Sequence, residues 1–367
     1  MLRYLKALSV FAGTIIGVGI FGLPYIASKA GFLVVILYFL LMVGIVSVVQ
    51  LIYGEVSLGT KELHRLPGYV GQYLGEGWKK ISLIVTGFGF IGALLAYLIV
   101  GGEFLASFLA PYLGGNTLIY TSLFFAIGAF LIFRGIKSIS LIELILLIVF
   151  FFILILFFIK AFPFIDVSYF KNIDLKFITL PYGVILFSLW GASIVPEIKE
   201  MLKGDRKMLR KVIISGVLLA AVTYLFFVFT VFGASGDNTS KEAISGLAHA
   251  LGDNVVRFGF VFGLITCFTS FITIGLGLKK IFWYDFNLSK NLSWFIACSV
   301  PFLLFLLGLR EFIDIIGLVG ALAIGCEGII IVLMYKKFYD KMNSWFYVLP
   351  AFFVLGIFFE FFYFVVR

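Results

Sequence analysis

The chain has 367 residues, of which 62% are hydrophobic and 13% charged, with a net charge of +9. A soluble domain is about 45–50% apolar and about 25% charged, so this composition excludes a soluble protein and indicates a polytopic membrane protein. The apolar runs are long and continuous, without two-residue alternation, which excludes a β-barrel and predicts a bundle of transmembrane helices. Three scattered cysteines predict neither disulfides nor a metal site.

Apolar runs separated by charges and turn residues predict eleven spans, which we number 1 to 11. None of the connecting loops is long enough for an independent domain, so residues 1–367 are expected to form one transmembrane domain. The spans cover approximately residues 6–28, 32–59, 81–110, 117–134, 138–160, 177–198, 211–233, 254–281, 291–308, 314–335 and 345–366.

The distribution of basic residues predicts the orientation. If the N-terminus is cytoplasmic, the loops on that side hold 20 of the 28 Lys and Arg residues. The positive-inside rule therefore predicts a cytoplasmic N-terminus and, after eleven spans, an extracytoplasmic C-terminus. We expect a multi-pass protein of the cell membrane, surrounded by lipid, whose positive charge reflects its loops rather than a nucleic-acid partner.

Span 1 contains the stretch GTIIGVGIFGLPY, residues 13–25, which concentrates helix-breaking residues in a membrane helix. Glycine costs about 1 kcal/mol and proline about 3 kcal/mol relative to alanine in a helix interior. The stretch predicts an unwound segment, with Pro24 helping to end the helix on the outer side. The alternative is close helix packing, because Gly13 and Gly17 form a G-x-x-x-G motif.

Span 6, LPYGVILFSLWGASIVPEI, has helix-breaking residues at the same spacing. Gly191 precedes Pro196 by five residues, as Gly19 precedes Pro24. The two spans run in opposite directions because five spans separate their starts. Interrupted helices at matching positions in two oppositely oriented halves predict an inverted-repeat secondary transporter with its site at the midplane. The repeats would cover about residues 6–160 and 177–338, with an additional helix at about 345–366.

Unwinding a helix in the membrane exposes backbone groups that need a ligand, an ion or water. The free N-terminus of a half-helix favours a carboxylate, and free C-terminal carbonyls favour an ammonium group or a cation. Together they match a zwitterionic amino acid. The pattern therefore predicts a secondary active amino acid transporter, without a cofactor or an obligatory protein partner.

The stretch GTIIGVGIFGLP resembles the first-helix signature of the amino acid-polyamine-organocation superfamily. The eleven-span plan is similar to its amino acid/auxin permease branch, which includes the bacterial tryptophan/tyrosine permeases. This resemblance implies an all-α, LeuT-like fold with a 5+5 inverted repeat plus one extra helix, and with helices 1 and 6 broken. It also implies transport by alternating access.

The resemblance further implies how the substrate is held. Backbone N–H groups of Val18 and Gly19 would bind the carboxylate near the Thr14 hydroxyl, and carbonyls at both breaks would share the ammonium. Trp190 would lie beside the side-chain pocket, as a gate or as a packing surface. The implied substrate-binding set is Thr14, Ile15, Gly17, Val18, Gly19, Phe187, Ser188, Trp190 and Gly191.

Two kinds of ion coupling are open, by H+ or by Na+. The resemblance implies a sodium site at Thr269 and Ser270 in span 8. A carboxylate in the membrane costs at least about 2.5–3.5 kcal/mol and so indicates a function, such as carrying a proton inward. The alternative is a carboxyl group that ties helices together. The three proton-coupling candidates are Glu103, Glu143 and Glu327, and they make proton symport the preferred prediction. The alternative is a sodium-coupled symporter of the same fold, for amino acids or another small solute.

Other functional classes fit less well. A channel or pore would need a continuous polar lining, whereas the polar residues cluster at the interruptions of spans 1, 6 and 8. The spans contain no metal-ligand set, Ser–His pair or C-x-x-C motif, so no enzyme is predicted. The 46 phenylalanines are spread over nearly all spans, so the sequence leaves the substrate side chain open.

Overall fold

The computed structural model describes residues 2–62, 64–135, 140–339 and 347–366. All regular secondary structure in this part is helical, and the long helices lie where the eleven spans were predicted. Eight of the described helices are long and apolar enough to cross a membrane, and the two halves of span 1 make nine when counted together. Spans 9 and 11 are apolar but shorter. Their positions complete the predicted all-α plan of eleven helices, which is confirmed.

The uninterrupted spans have simple bounds. Spans 2 to 5 are Phe32–Gly59, Glu76–Leu113, Thr117–Arg134 and Ser140–Ala161, and spans 7 to 9 are Arg206–Ser235, Asp253–Lys280 and Lys290–Leu306. Span 11 is Val348–Val366. A short helix, Leu66–Leu74, connects spans 2 and 3. Short 3-10 turns lie in the connections on the opposite face, at Phe162–Phe164, Val167–Lys171, Leu175–Phe177, Gly236–Asn238 and Ser245–Leu247.

Both predicted interruptions are present. Span 1 consists of the half-helices Leu2–Ile15 and Gly19–Ala30, which are bent by 53° relative to each other. Span 6 begins with the half-helix Pro181–Leu189, becomes extended at Trp190, and continues as Ala192–Ile194 and Val195–Met201. The prediction of two broken helices is confirmed.

Pro24 and Pro196, which follow Gly19 and Gly191 by five residues, lie at different positions in their half-helices. This corrects one expectation. Pro196 lies in the first turn of the half-helix Val195–Met201, where its missing N–H costs nothing. Pro24 lies inside the half-helix Gly19–Ala30, which continues for six residues beyond it. The prediction that Pro24 helps to end this helix was therefore wrong, and Gly31, with a φ of 107°, follows its last residue.

The broken helices lie among the most buried elements of the bundle. The first half-helix of span 1, Leu2–Ile15, packs on span 7, and the second, Gly19–Ala30, packs on the half-helix Pro181–Leu189 of span 6. Span 3, the longest helix, runs along span 8 beside them. An added Cβ at Gly13 would meet no atom within 4 Å, so close helix packing does not explain this glycine.

Span 10 has an interruption that the sequence analysis did not predict. It runs through the segments Phe312–Leu318, Val319–Ile324 and Gly325–Phe338, and the middle segment is a π-helix. Gly183 of span 6 touches this helix backbone to backbone, because a Cβ there would lie 2.1 Å from the Gly317 carbonyl oxygen. Glycine alone permits this approach. π-helical segments are frequent at functional sites, and this one directly precedes the part of span 10 that carries Glu327.

Candidate substrate site

A cavity of about 310 Å³ lies at the interruptions of spans 1 and 6. Spans 3, 8 and 10 form its remaining walls, with Phe90, Tyr97, Thr273 and Glu327 among the lining residues. Gly191 does not line the cavity. Eight of the nine predicted substrate-binding residues do, namely Thr14, Ile15, Gly17, Val18, Gly19, Phe187, Ser188 and Trp190.

The cavity extends from the two breaks toward the face with most basic residues. It is lined there by Arg65, Glu197 and the exposed Lys280. The Arg65 guanidinium and the Glu197 carboxylate are 3.5 Å apart, and each side chain is about one-third exposed. On the opposite side of the break the bundle is packed, with the rings of Phe21 and Phe104 in edge contact at 5.0 Å. The cavity is therefore accessible from the basic face.

Neighbouring side chains approach the backbone closely at the break in span 1, because Gly17 and Gly19 have no side chain. A Cβ at Gly17 would lie 2.1 Å from the Tyr97 hydroxyl, and one at Gly19 would lie 2.3 Å from Ser188 Oγ. The Val18 N–H donates a hydrogen bond to the Tyr97 hydroxyl at 3.2 Å. One of the two N–H groups expected to bind the substrate carboxylate is thus already paired, with a residue that the sequence analysis missed.

The carbonyl groups at the two breaks also have an unpredicted partner. The Tyr224 hydroxyl of span 7 is 2.7 Å from the Ile15 carbonyl oxygen and 2.9 Å from that of Ser188. The hydroxyls of Ser188 and Thr14 donate instead within their own helices, to carbonyls four residues back. Tyr224 therefore joins the backbone of span 1 to that of span 6.

Glu327 lies on the cavity wall and connects three helices. Its residue exposure is 9%, and its carboxylate accepts hydrogen bonds from Thr86 Oγ1 at 2.8 Å and from Trp190 Nε1 at 2.9 Å. Thr86 belongs to span 3, and Trp190 is the residue at which span 6 unwinds. The structure thus brings together two residues that the sequence analysis had assigned to separate roles, in coupling and in gating.

A second candidate carboxylate lies outside this cavity. Glu103 lines a separate pocket of about 300 Å³ on the opposite face, with Lys241, Arg310 and Glu311. Lys241 pairs with Glu311 across this pocket, and that hydrogen bond raises the pKa of the Lys241 ammonium. The side chain of Glu143 lies outside the residues that the structure describes.

The predicted hydroxyl pair of span 8 is not assembled as a site. Thr269 Oγ1 donates to the Ile265 and Thr266 carbonyls of its own helix, at 3.1 and 3.2 Å, and does not line the cavity. Ser270 lies beside the Tyr97 hydroxyl. Thr273, one turn further along, lines the cavity and donates to the Thr269 carbonyl at 3.0 Å.

A further buried carboxylate, Glu360 in span 11, was missed by the sequence analysis. It is 2% exposed, and a Cβ at Gly317 would lie 2.6 Å from its Oε1 atom. It therefore packs directly on span 10 before the π-helix. An acidic residue within a 19-residue apolar helix was the available signal.

Comparison with known sequences places the chain in a family of amino acid permeases. A sequence model of the tryptophan/tyrosine permease family matches residues 2–366. The chain is also 24% identical over 284 residues to the tyrosine-specific transport system 1 of Haemophilus influenzae. That alignment covers 73% of this chain and 70% of the relative.

Solved structures of similar fold include three transporters. MhsT in complex with L-phenylalanine has a TM-score of 0.69 at 17% identity, over 99% of this chain and 98% of the other. Mhp1, a nucleobase-cation-symport-1 family transporter, has 0.68 at 13%, over 97% and 90%. The Eremococcus coleocola manganese transporter has 0.70 at 12%, over 98% and 85%. These likenesses confirm the predicted LeuT-like fold.

Proposed function

Because the chain belongs to the tryptophan/tyrosine permease family, and is a secondary active amino acid transporter rather than an enzyme, we propose that it carries aromatic amino acids. In this proposal, proton binding at Glu327 drives uptake by alternating access. The observation that carries it is the position of Glu327, on the wall of the cavity and hydrogen-bonded to the residue at which span 6 unwinds.

The walls of the cavity support an aromatic substrate. Phe90, Phe187 and Trp190 present ring surfaces, while Gly89 and Ala93 of span 3 leave space between them. Aromatic rings gain from edge or offset contacts beyond the area that they bury. A volume of about 310 Å³ suits a small ligand. The name of the Haemophilus relative, a tyrosine-specific system, supports the same class of substrate.

The backbone at the breaks supports binding of the zwitterionic part. Gly19 begins the half-helix Gly19–Ala30, and the partial positive charge at this end favours a carboxylate. Carbonyls near the ends of the half-helices Leu2–Ile15 and Pro181–Leu189 carry the opposite partial charge, which favours an ammonium group. We propose that the substrate carboxylate binds at the Gly19 end. Its ammonium group then binds carbonyls of the other two half-helices besides those of Ile15 and Ser188, which the Tyr224 hydroxyl bridges.

The surroundings of Glu327 support proton coupling. Its two hydrogen-bond donors, Thr86 and Trp190, are both neutral, so these contacts do not cancel a carboxylate charge. An uncompensated charge is costly in a protein interior, and a bound proton removes it. Because Trp190 is part of the break in span 6, the same carboxyl group contacts an element expected to move. The repeats predicted at about 6–160 and 177–338 would rearrange around spans 1 and 6.

We also propose that the N-terminus is cytoplasmic and the C-terminus extracytoplasmic, with lipid around the bundle. The cavity mouth at Arg65 and Lys280 would then open to the cytoplasm. A cysteine introduced at the exposed Asn238 should react with an impermeant reagent from outside, and one at the exposed Lys203 should not. The unaltered chain, with Cys267, Cys298 and Cys326, serves as the background control. Reaction at Asn238 from the cytoplasmic side would contradict this orientation.

The substrate and the driving ion are tested by uptake into proteoliposomes. Tyrosine, tryptophan, phenylalanine and leucine should be compared under an imposed pH gradient and, separately, under a sodium gradient. We expect accumulation of at least one aromatic amino acid, but not of leucine, with the pH gradient alone. Accumulation of leucine in preference to all three aromatic substrates would contradict the proposed substrate class.

Glu327→Gln separates coupling from binding. Glutamine keeps the shape and can still accept the Trp190 hydrogen bond, but it cannot gain and lose a proton. We expect the variant to exchange internal for external substrate while losing accumulation driven by the pH gradient. Glu103→Gln, in the pocket on the opposite face, is the matched control and should still accumulate substrate. Accumulation by Glu327→Gln at the original level would exclude this residue as the proton carrier.

A further inference from the structure

Tyr224 places a hydroxyl group between the two broken helices. The residue is fully buried, and its hydroxyl lies 2.7 Å from the Ile15 carbonyl oxygen and 2.9 Å from that of Ser188. Ile15 is the last residue of its half-helix, and Ser188 lies in the last turn of another. Carbonyl groups in the last turn of a helix lack a partner within that helix.

The C-terminal ends of the half-helices Leu2–Ile15 and Pro181–Leu189 converge here, and together they favour a positive charge between them. Each end carries a partial negative charge on its unpaired carbonyls. A cation or a hydrogen-bond donor must lie between them, since buried and unpaired carbonyls are costly. The phenol has one hydrogen, which the two carbonyl oxygens share. A cation bridging these oxygens would have to occupy the position of the phenol oxygen.

We propose that Tyr224 is a fixed hydrogen-bond donor that takes the place of a cation between the breaks of spans 1 and 6. Substrate binding at this cavity is then independent of sodium. Tyr224 is a positioning residue, because it acts through the backbone of Ile15 and Ser188. The inference rests on the proposed function, which it deepens by stating how the site works without sodium.

Tyr97 has a similar role at a helix N-terminus. Its hydroxyl accepts a hydrogen bond from the Val18 N–H, at the start of the outer half of span 1. One tyrosine thus pairs with an N–H group beside a helix N-terminus, and the other pairs with C-terminal carbonyls. The hydroxyl of Thr269 in span 8, which had been a candidate sodium ligand, donates within its own helix.

The test is binding of radiolabelled tyrosine and tryptophan to the purified full-length protein, in sodium chloride and in choline chloride at equal ionic strength. For the unaltered protein, we expect dissociation constants in the two salts that agree within about twofold. Tyr224→Phe removes one oxygen atom and leaves both carbonyls without their donor. We expect its affinity to fall about tenfold or more in choline chloride.

Tyr4→Phe is the matched control, because it removes a tyrosine hydroxyl that pairs with Ser215 Oγ at 3.0 Å, away from both breaks. Its affinity should equal that of the unaltered protein. Thermal unfolding and gel filtration show whether each variant is folded. If Tyr224→Phe does not fold, the two-salt comparison on the unaltered protein still tests the predicted independence of sodium, and sodium dependence there would overturn the proposal.

Two results would overturn the inference. One is an affinity of the unaltered protein that sodium raises fivefold or more, and the other is unchanged affinity of folded Tyr224→Phe in choline chloride. Either result would leave the aromatic substrate class standing, provided that tyrosine or tryptophan binds. Absence of binding by every aromatic amino acid in both salts would instead refute the proposed function.

Discussion

The two broken helices are interrupted by different means and offer different groups to the cavity. In span 1 the break contains Gly17 and Gly19, and side chains from spans 3 and 6 approach its backbone within the space that a Cβ would fill. In span 6 the break is at Trp190, whose backbone is extended and whose indole N–H binds the Glu327 carboxylate. At its break, span 1 therefore presents backbone groups to the cavity, whereas span 6 presents the Trp190 side chain.

This difference indicates that the two breaks have separate functions within one cavity. The zwitterionic part of any amino acid is the same, so exposed backbone groups can bind it without reference to the side chain. Proton coupling, as proposed above, needs a group that changes its charge, and Glu327, the proposed proton carrier, contacts the break in span 6 through Trp190. Changes at the span 1 break should therefore affect binding of all substrates, whereas changes at Trp190 should affect accumulation more than binding.

The largest effect is expected from Gly19→Val. The valine Cβ would lie 3.0 Å from the Ser188 Cα atom, a backbone contact that cannot be relieved by a side-chain rotation. We expect loss of measurable substrate binding while the protein still inserts in the membrane. Gly13→Val is the control, because a Cβ at Gly13 meets no atom within 4 Å. Binding by Gly19→Val at the original affinity would remove this break from the substrate site.

A smaller effect is expected from Trp190→Phe, which keeps an aromatic ring but loses the hydrogen bond to Glu327. A hydrogen bond to a charged group contributes about 1.5–3 kcal/mol, so we expect the rate of proton-driven accumulation to fall about tenfold. Substrate exchange should fall much less. Trp294→Phe is the matched control, because it removes an indole N–H that binds the Ala129 carbonyl at 2.8 Å. Equal losses in exchange and accumulation would count against a coupling role.

The smallest effect is expected from Thr269→Val. The Thr269 hydroxyl donates within its own helix and does not line the cavity, so uptake and its ion dependence should change less than about twofold. The measurement is uptake under separate pH and sodium gradients. A sodium-driven uptake that this variant abolishes would restore the sodium site first expected in span 8.

Much of the fold could be predicted because its signals are local. Continuous apolar runs indicate membrane helices, and the glycines of spans 1 and 6 indicate where two of them unwind. The role expected for Pro24 was wrong, since the half-helix Gly19–Ala30 continues for six residues beyond it. The π-helix of span 10 was missed because it depends on contacts with spans 6 and 11. Glu360 was missed although an acidic residue within an apolar helix was a local signal.

The same distinction between local and long-range signals applies to the site. Eight of the nine residues predicted to bind substrate line one cavity, since they lie next to the two breaks along the chain. Tyr97 and Tyr224 could not be identified among 17 tyrosines, because their role depends on which backbone groups they meet. Glu327 was a candidate among three membrane carboxylates, and its partners Thr86 and Trp190 distinguished it from Glu103.

The sequence by itself determined that this chain is a membrane protein with eleven helices, two of them broken in oppositely directed halves. Hydrophobicity and helix propensity act through neighbouring residues, so they can be read along the chain. The tertiary structure decided which groups meet the exposed backbone and which carboxylate faces the cavity. Tyr224 meets Ile15 across 209 residues, and Thr86 meets Glu327 across 241. Contacts over such separations depend on how the helices pack.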